Sequence, residues 1–334
     1  MPAATYDVLG IGNAIVDIIA HADDDVLVAH GLHKGTMQLV DEARVESLQG
    51  AGGKPTFVSG GSAANTTVGL ARLGCRSAFI GKVKADHAGD AFTHDIRAAG
   101  VHFATPPARD GAATARCLIF VTPDGQRTMN TYLGASQALY EHDVDTELVT
   151  SSKIVYLEGY LWDPPHAKAA FLHAAKLAHE AGRQVALSLS DSFCVDRYRD
   201  EFMDLIRSRT VDIVFCNESE LHSLYQTADF ATAVDALQKE SILAVVTRSE
   251  NGSVIVAKDK TRAVPAAPID NLVDTTGAGD LFAAGFLAGL VRDRDHETCA
   301  RLGALAAAEI IQHIGARPQA NLQDLAAKSG LALP

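Results

Sequence analysis

Short apolar runs rich in β-branched residues alternate along this chain with amphipathic helical segments. The runs that we predict as strands are Tyr6 to Ile11, Ala78 to Val83, Ile154 to Leu157, Gln184 to Leu189, Asp212 to Phe215 and Leu243 to Thr247. Between them, Ser62 to Leu73 and Pro165 to Ala181 have helical spacing, and each ends beside a glycine. This alternation predicts an α/β fold with a central, mainly parallel sheet between helical layers. Ligands of such sheets bind beyond the carboxyl ends of the strands.

Two regions, approximately residues 21–60 and 111–135, interrupt this alternation with short strand-like pieces and turn signals such as Pro123-Asp124-Gly125. No linker or low-complexity segment separates them from the rest of the chain. We therefore expect a single domain over residues 1–334, with both regions as excursions that form a small β-lid over the ligand-binding edge.

Composition limits the classes of partner. The chain has 334 residues, a formal net charge of -12 and no sustained run of Lys or Arg, which argues against nucleic-acid and membrane partners. It has no apolar run of the roughly 18 residues that a membrane helix needs, and its first ten residues lack a signal-peptide pattern. The five cysteines form no C-x-x-C pair, so we expect reduced thiols. Together these features predict a cytoplasmic protein that binds a small molecule.

Residues 273–287, VDTTGAGDLFAAGFL, place a turn of small residues directly before an apolar helix. The turn offers the consecutive backbone N–H groups of Thr276, Gly277, Ala278 and Gly279, which can bind an anion at the helix N-terminus. The carboxylate of Asp280 lies at the junction. Asp280 can simply cap the helix, but a cap needs neither the adjacent threonines nor a run of residues without bulk. The pattern therefore favours a phosphate site with a base in it.

The glycines near the N-terminus do not form a dinucleotide-binding fingerprint. Gly10 and Gly12 follow a predicted strand, but Ile15 stands where the third glycine is required. The chain also lacks a G-x-x-x-x-G-K-[ST] loop, which excludes a P-loop NTPase. Asn13 and Asp17, four residues apart, are suited instead to hydrogen bonding with the hydroxyls of a polyol or ribose.

A second glycine cluster, Gly60 and Gly61, precedes a predicted helix. Two adjacent glycines let a ligand approach the backbone closely, and Ser62 and Asn65 supply polar side chains beside them. A tight loop before a helix would need the glycines but not the polar residues. The cluster therefore indicates a second part of a ligand site.

Together, GGSAANTTVGLARLG at 60–74 and DTTGAGDLFAAGFL at 274–287 resemble the two signature regions of the PfkB carbohydrate kinase family, also called the ribokinase-like family. GIGNAIVD at 10–17, the N-x-x-E of Asn217 to Glu220 and VTRSENGS at 246–253 match the family in order and spacing. Lys84 departs from the pattern, because family members usually have glycine there. The resemblance implies a ribokinase-like three-layer α/β/α fold with a small β-lid.

The resemblance also implies transfer of the ATP γ-phosphoryl group to a substrate hydroxyl. Asp280 would accept the hydroxyl proton, and the amides of Gly277, Ala278 and Gly279 would form the anion hole. Because phosphoryl transfer is loose and positioning dominates, a weak base is sufficient if it is close. We expect the helix N-terminus to lower the basicity of Asp280 and to stabilise the migrating negative charge.

Further positions match the family's nucleotide and metal contacts. Glu220 would hold Mg²⁺ through water, and Asp274 and Thr276 match positions that hold K⁺ in some relatives. The positions implied for ATP binding are Asn217, Glu220, Thr247, Arg248, Gly252, Thr275, Gly277, Gly279, Ala304, Ala307 and Ile311. The last three resemble the apolar wall beside adenine.

The acceptor is indicated by residues that differ between branches of the family. Ribokinases carry lysine and glycine where this chain has Ser62 and Ala63, and RTMNTYLGAS at 127–136 is closer to the adenosine kinase branch. The implied reaction is phosphorylation of a nucleoside hydroxymethyl group, adenosine to AMP. The residues implied for acceptor binding are Asn13, Asp17, Gly61, Ser62, Asn65, Arg127, Tyr132 and Glu158, with Arg127 approaching the phosphates from the lid. Tyr132, Tyr160, Trp162 and Phe193 are candidates for an aromatic purine slot.

Two alternatives stay open. A ribokinase- or fructokinase-like sugar kinase would use Asn13, Asp17 and Asn65 on sugar hydroxyls and leave the aromatic residues in the core. A non-catalytic nucleotide-binding protein belongs to another class, and the intact Asp280 disfavours it. Relatives with similar lids are monomers or lid-to-lid dimers, so the sequence is compatible with a monomer or a homodimer.

Overall fold

The computed structural model describes residues 4–258 and 260–333, so the ends of the predicted domain lie outside the described residues. The strands are β1 (Tyr6–Ile11), β2 (Ile15–His21), β3 (Met37–Leu39), β4 (Thr56–Gly60), β5 (Ser77–Ile80), β6 (His102–Phe103), β7 (Ala115–Val121), β8 (Arg127–Tyr132), β9 (Ser152–Glu158), β10 (Gln184–Ser188), β11 (Ile213–Asn217), β12 (Leu243–Thr247), β13 (Ser253–Ala257) and β14 (Lys260–Val264). The helices are α1 (Asp24–Ala29), α2 (Glu42–Leu48), α3 (Ser62–Arg72), α4 (His87–Ala98), α5 (Thr146–Thr150), α6 (Pro165–Glu180), α7 (Ser192–Arg207), α8 (Glu218–Tyr225), α9 (Phe230–Lys239), α10 (Ala278–Leu290), α11 (His296–Ile310) and α12 (Leu322–Lys328).

Among the described residues, nine strands form a central sheet in the order β14-β13-β12-β11-β10-β9-β1-β5-β6. The pairs from β12 to β6 are parallel, and β13 and β14 add an antiparallel edge. Parallel strands are buried on both faces, which is why they read in the sequence as continuous apolar runs. One face of the sheet packs against α3, α4, α10 and α11, and the other against α5 to α9. The predicted three-layer α/β/α fold is therefore confirmed.

A second sheet has the order β3-β8-β7-β2-β4 and contains the strand-like pieces of both predicted excursions. It also contains β2, which lies before the first excursion and was not predicted. Residues 21–60 further contain α1 and α2, where only short strand-like pieces were expected. One face of this sheet packs onto the core through residues such as Val16, Ile18 and Phe120. Its other face carries Ile15, Asp17 and Cys117, which line a cavity.

The contact between α3 and α10 positions the residues discussed below. A Cβ atom at Gly69 would lie 2.8 Å from Ala284 Cβ and from Leu281 Cδ1, so this close approach of the two helices requires glycine. Gly61, with φ of +101°, is the N-cap of α3. Because the chain already turns at Gly61, the Ser62 hydroxyl is free to bind elsewhere.

Lys84, the departure from the family pattern, is accommodated without the backbone conformation that favours glycine. Its N–H donates to Thr114 Oγ1 at 2.9 Å, and its ammonium group donates to the Gly111 carbonyl at 2.6 Å. The five cysteines are buried and form no disulfide with one another. In the part of the chain that the structure describes, no helix is long and apolar enough to cross a membrane.

Candidate active site

Asp280 lies in the first turn of α10, directly after a tight turn. Gly277 is the N-cap, with φ of +79°. A Cβ atom at Gly277 would lie 2.8 Å from Ala316 Cβ, so conformation and space both require glycine there. Among the described residues, the N–H groups of Gly277 and Gly279 have no backbone partner, whereas the N–H of Ala278 donates to the Thr275 carbonyl at 3.1 Å.

Two side chains from the first turn of α3 donate hydrogen bonds to Asp280. Ser62 Oγ lies 2.6 Å from Oδ1, and Asn65 Nδ2 lies 3.0 Å from Oδ2. Burial raises the pKa of Asp280, while these two donors and the Arg317 guanidinium lower it, and the net direction is upward. Burial therefore acts against the lower basicity that we expect from the helix N-terminus, because desolvation outweighs the favourable contacts. A raised pKa suits a general base.

Arg317 was not identified from the sequence. It follows Ala316, and its Nη2 donates to the backbone carbonyl of Ser59 and, at 2.7 Å, to Ser59 Oγ. Its Nε and Nη1 are buried and have no partner among the described residues. Its positive charge lowers the pKa of both Asp280 and Asp17. No short-range pattern marks this residue, because it comes from the loop between α11 and α12.

Glu158 is buried and forms hydrogen bonds with both Asn13 and the first turn of α3. Its carboxylate accepts hydrogen bonds from Ala63 N–H at 2.8 Å, from Asn13 Nδ2 at 2.7 Å and from Asn13 N–H at 3.3 Å. Burial raises the pKa of Glu158 to about 7, although these donors lower it. The side-chain oxygen of Asn13, Oδ1, in turn accepts hydrogen bonds from Ser136 Oγ at 2.8 Å and from Gln137 Nε2 at 3.1 Å. The amide of Asn13 is thus oriented by protein contacts on both sides.

Asp17 differs from Asn13 in having no protein partner. Within the part of the chain that the structure describes, no hydrogen bond to its carboxylate is formed. Burial raises the pKa of Asp17 to about 6, while the positive charges of Arg127 and Arg317 lower it. A carboxylate with free acceptor capacity at a cavity wall is suited to ligand hydroxyls.

A cavity of about 660 Å³ brings most of the predicted residues together. Its volume lies within the usual range for small-molecule sites. The predicted residues that line it are Asn13, Asp17, Gly61, Ser62, Asn65, Glu158, Asn217, Glu220, Thr247, Thr275, Thr276, Gly277, Ala278, Gly279 and Asp280. Asp280 lines the same cavity and accepts hydrogen bonds from two residues of α3.

The remaining predicted residues lie outside the cavity lining. Arg127 pairs with Asp274, and the Tyr132 hydroxyl donates to Glu42 Oε2 at 3.0 Å. Arg248 donates to both carboxylate oxygens of Glu218. The others are Gly252, in a turn with φ of +80°, and Ala304, Ala307 and Ile311, which pack in or against the core.

Sequence reasoning missed an apolar wall of this cavity. Met37, Leu39, Met129 and Leu133 line it together with Phe193. Phe193 is 77% exposed and Leu39 57% exposed. The strands β3 and β8 pair so that Met37 lies opposite Met129. A period of two along β3 and β8 could have revealed this face, because residues two apart in a strand share one side of the sheet.

The four aromatic candidates divide accordingly. Tyr160 and Phe193 line the cavity, whereas Tyr132 and Trp162 do not. Trp162 is buried among core aromatic rings, and its Nε1 donates to Glu201 Oε2 at 2.8 Å. Its contribution to a purine slot is therefore excluded by core packing.

Glu220 fits the predicted indirect contact with a magnesium ion. It lines the cavity, and its carboxylate accepts from Asn217 N–H at 3.0 Å and from Asn217 Nδ2 at 2.6 Å, which closes the N-terminus of α8. Burial raises the pKa of Glu220 to about 7. In residues 4–258 and 260–333, no group of three or more His, Cys, Asp or Glu could hold a metal ion. A carboxylate at the cavity wall, as at Glu220, fits a contact through water with an ion that arrives with a triphosphate.

Asp274 does not fit a monovalent cation in the same way. Oδ1 accepts from Thr276 N–H at 3.0 Å, and Oδ2 accepts from Gly315 N–H at 2.9 Å and from the Arg127 guanidinium. The positive charge that a K⁺ ion would supply is already present.

Comparison with known proteins agrees with this site. The model of the pfkB family carbohydrate kinases matches residues 28–322. The chain belongs to this family. It is therefore a phosphotransferase that uses ATP and has an alcohol group as acceptor, as the resemblance implied.

Within the pfkB family, the chain is similar to solved structures along almost its whole length. An adenosine kinase from Sinorhizobium meliloti is 53% identical, with a TM-score of 0.91 over 98% of this chain and 100% of that one. A probable sugar kinase protein from Rhizobium etli CFN 42 is 51% identical, with a TM-score of 0.92 over 98% and 99%. The predicted similarity to the adenosine kinase branch is thus confirmed.

A probable chloroplastic fructokinase-6 from Arabidopsis thaliana is 33% identical over 70% of this chain. The match spans 62% of the fructokinase's own length.

Proposed function

We propose that this pfkB-family kinase transfers the γ-phosphoryl group of ATP to the hydroxymethyl group of adenosine, with AMP as product. The observation that carries the proposal is the position of Asp280. Its carboxylate lines the same cavity as the free carboxylate of Asp17, the apolar wall, the anion-hole turn and Asn217. We expect a hydroxyl and a phosphate bound in this cavity to meet at the base.

In the proposed mechanism, Asp280 accepts the hydroxyl proton as the acceptor oxygen attacks the γ-phosphorus. Ser62 and Asn65 hold the carboxylate in place by their hydrogen bonds. The N–H groups of Gly277, Ala278 and Gly279 stabilise the negative charge of the transferred group, which is spread over its oxygens in a loose transition state. Magnesium, when bound with the triphosphate, neutralises part of the phosphate charge. Glu220 and Asn217 would hold its water molecules.

Adenosine has groups that fit both the polar and the apolar part of the cavity lining. Asp17 accepts hydrogen bonds from ribose hydroxyls, and Met37, Leu39, Met129, Leu133 and Phe193 provide an apolar slot for the flat purine. The similarity to the Sinorhizobium adenosine kinase supports this acceptor.

A sugar kinase is the second candidate. The similarity to the Rhizobium sugar kinase supports it, as does Asp17, since a carboxylate binds sugar hydroxyls equally well. A sugar leaves the apolar wall uncovered, however. The exposure of Leu39 is explained by a purine and does not by itself require a second copy of the chain. Whether the protein is a monomer or a homodimer is to be measured by light scattering.

The test is ATP-to-ADP turnover with Mg²⁺ and adenosine, cytidine, ribose, fructose or no acceptor. We expect adenosine to stimulate turnover and to yield AMP. In parallel, Leu39→Ala should raise KM for adenosine by about fivefold, the effect of losing roughly 1 kcal/mol of apolar contact. Leu172→Ala, an exposed leucine on α6, is the matched control and should leave KM unchanged.

Stimulation by a sugar alone would reject adenosine as the acceptor and leave the kinase chemistry intact. Absence of turnover with every acceptor tested would contradict both kinase candidates and would support a non-catalytic nucleotide-binding protein. An equal KM in Leu39→Ala and wild type, with adenosine as acceptor, would reject the apolar slot.

A further inference from the structure

The guanidinium of Arg127 and the carboxylate of Asp274 form a buried ion pair between two parts of the site. Arg127 is the first residue of β8 in the second sheet, and Asp274 precedes the anion-hole turn. The two side chains are 7% and 6% exposed. The pair therefore connects the second sheet directly to the loop that ends at Asp280.

Asp274 has little remaining capacity for another cation. Its oxygens accept from Thr276 N–H, Gly315 N–H and Arg127 Nη1. Through these bonds it fixes the backbone of both the anion-hole turn and the neighbouring 311–317 loop. All three contacts are donors to the carboxylate, and a carboxylate buried to this degree needs a positive partner.

Arg127 is well placed to be that partner. An ionised carboxylate buried without a counter-charge is strongly unfavourable, and a guanidinium is permanently charged. Its positive charge also acts on Asp17, whose pKa it lowers. The positive charge of one arginine of the second sheet therefore acts on the acceptor carboxylate as well as on the anion-hole loop.

We propose that Arg127 takes the place of a monovalent cation at Asp274 and acts as a positioning residue for the anion-hole turn. The ion pair with β8 then holds the anion-hole loop in its catalytically competent conformation, and turnover does not require K⁺. The expected effect on turnover rests on the proposed function. Cation binding at Asp274 can be measured separately, on the protein without substrates.

The first experiment measures cation binding without catalysis. Thallium(I), a probe for K⁺ sites, is titrated by ²⁰⁵Tl NMR into wild type, Arg127→Met and Arg116→Met. Arg116 is the matched control, because it lies on β7 beside Tyr132 and Glu42 and makes no bond to Asp274. We expect thallium(I) to bind to Arg127→Met and not to wild type or Arg116→Met. Adding Asp274→Asn to Arg127→Met should abolish that binding.

The second experiment compares turnover in KCl with turnover in tetramethylammonium chloride at equal ionic strength. Wild type should be indifferent to the cation. Arg127→Met should lose at least about tenfold in kcat without K⁺, since misplacement of a catalytic loop has effects of this size, and should recover part of it with K⁺. If Arg127→Met does not fold, Arg127→Lys and Arg127→Gln replace it. We expect turnover to depend on K⁺ in Arg127→Gln and not in Arg127→Lys.

Specific thallium(I) binding to wild type, or a wild-type requirement for K⁺, would overturn the proposal. So would an Arg127→Met protein that is folded and gains no cation site. Absence of turnover with every acceptor would defeat the proposed function alone, because the thallium titration does not depend on catalysis.

Discussion

The hydroxyl of Ser62 donates a 2.6 Å hydrogen bond to Oδ1 of Asp280, and so joins the first turn of α3 to the first turn of α10. The bond depends on two backbone features described above: the turn at Gly61 that frees the hydroxyl, and the close contact of the two helices at Gly69. Since a hydrogen bond donated to a carboxylate favours its ionised form, Ser62 keeps the proposed base available against the effect of burial.

Ser62→Ala should make Asp280 harder to ionise. The direction follows from the loss of a donor to the charged form, which raises the pKa of Asp280 further. The acidic limb of the pH–kcat profile should move to higher pH, with a loss of about tenfold below neutral pH, as expected for a charged hydrogen bond of ~1.4 kcal/mol. At alkaline pH the rate should approach that of wild type. Ser47→Ala, an exposed serine that bonds only to the Arg44 carbonyl, is the control. A uniform loss at every pH would contradict this account.

Asp280→Asn should lower kcat by at least about 10²-fold, the lower range for loss of a general base. The carboxamide has nearly the same shape, but its nitrogen cannot accept a hydrogen bond from Ser62 or Asn65, and it cannot take the hydroxyl proton. The measurement is single-turnover phosphoryl transfer by a variant with unchanged circular dichroism and ATP affinity. Near-normal transfer by such a protein would show that Asp280 is not the base.

The central sheet could be predicted from the sequence because its parallel strands are buried on both faces. Leu243–Thr247 has the predicted limits, and Ser152–Glu158 is longer than expected by only a few residues. The strand Ile15–His21 was missed, because Asp17 divides its sequence IVDIIAH into two apolar runs that are shorter than the predicted strands.

The site could be predicted only where its residues belong to local motifs. Gly277 to Asp280 and Gly61 to Asn65 lie in continuous segments, and both were found. The pair of Arg127 and Asp274 joins residues 147 positions apart, and Arg317 comes from a loop without a recognisable pattern. The pKa of Asp280 likewise depends on burial by several elements. A sequence motif indicates that the helix N-terminus favours the ionised form of Asp280. It does not indicate how strongly burial raises the pKa of that carboxyl group.

Gly277→Ala should destabilise the folded protein by about 1–3 kcal/mol, the usual cost of a left-handed backbone at a residue with a side chain. The new methyl group would also lie 2.8 Å from Ala316 Cβ, in the loop that follows α11. Gly279→Ala is the matched control, because no atom lies within 4 Å of a Cβ there and its φ is not positive. Its free energy of unfolding should be unchanged or slightly higher, since alanine favours a helix. Urea unfolding of both variants provides the comparison, and equal destabilisation would be inconsistent with the geometry at Gly277.

Asp17→Asn should separate acceptor binding from chemistry. The pKa of Asp17 is raised from an ordinary value of 3.8 to about 6 by burial, so the carboxylate becomes protonated as the pH falls through 6. Protonation removes acceptor capacity for substrate hydroxyls, and KM for the acceptor should therefore rise with falling pH in wild type. In Asp17→Asn, KM should be about tenfold higher at neutral pH, the effect of weakening one charged hydrogen bond, and nearly independent of pH between about 5 and 7. The acidic limb of kcat should persist in this variant, because it belongs to Asp280. If KM of Asp17→Asn still followed the wild-type pH dependence, the group that controls acceptor binding would have to be another one.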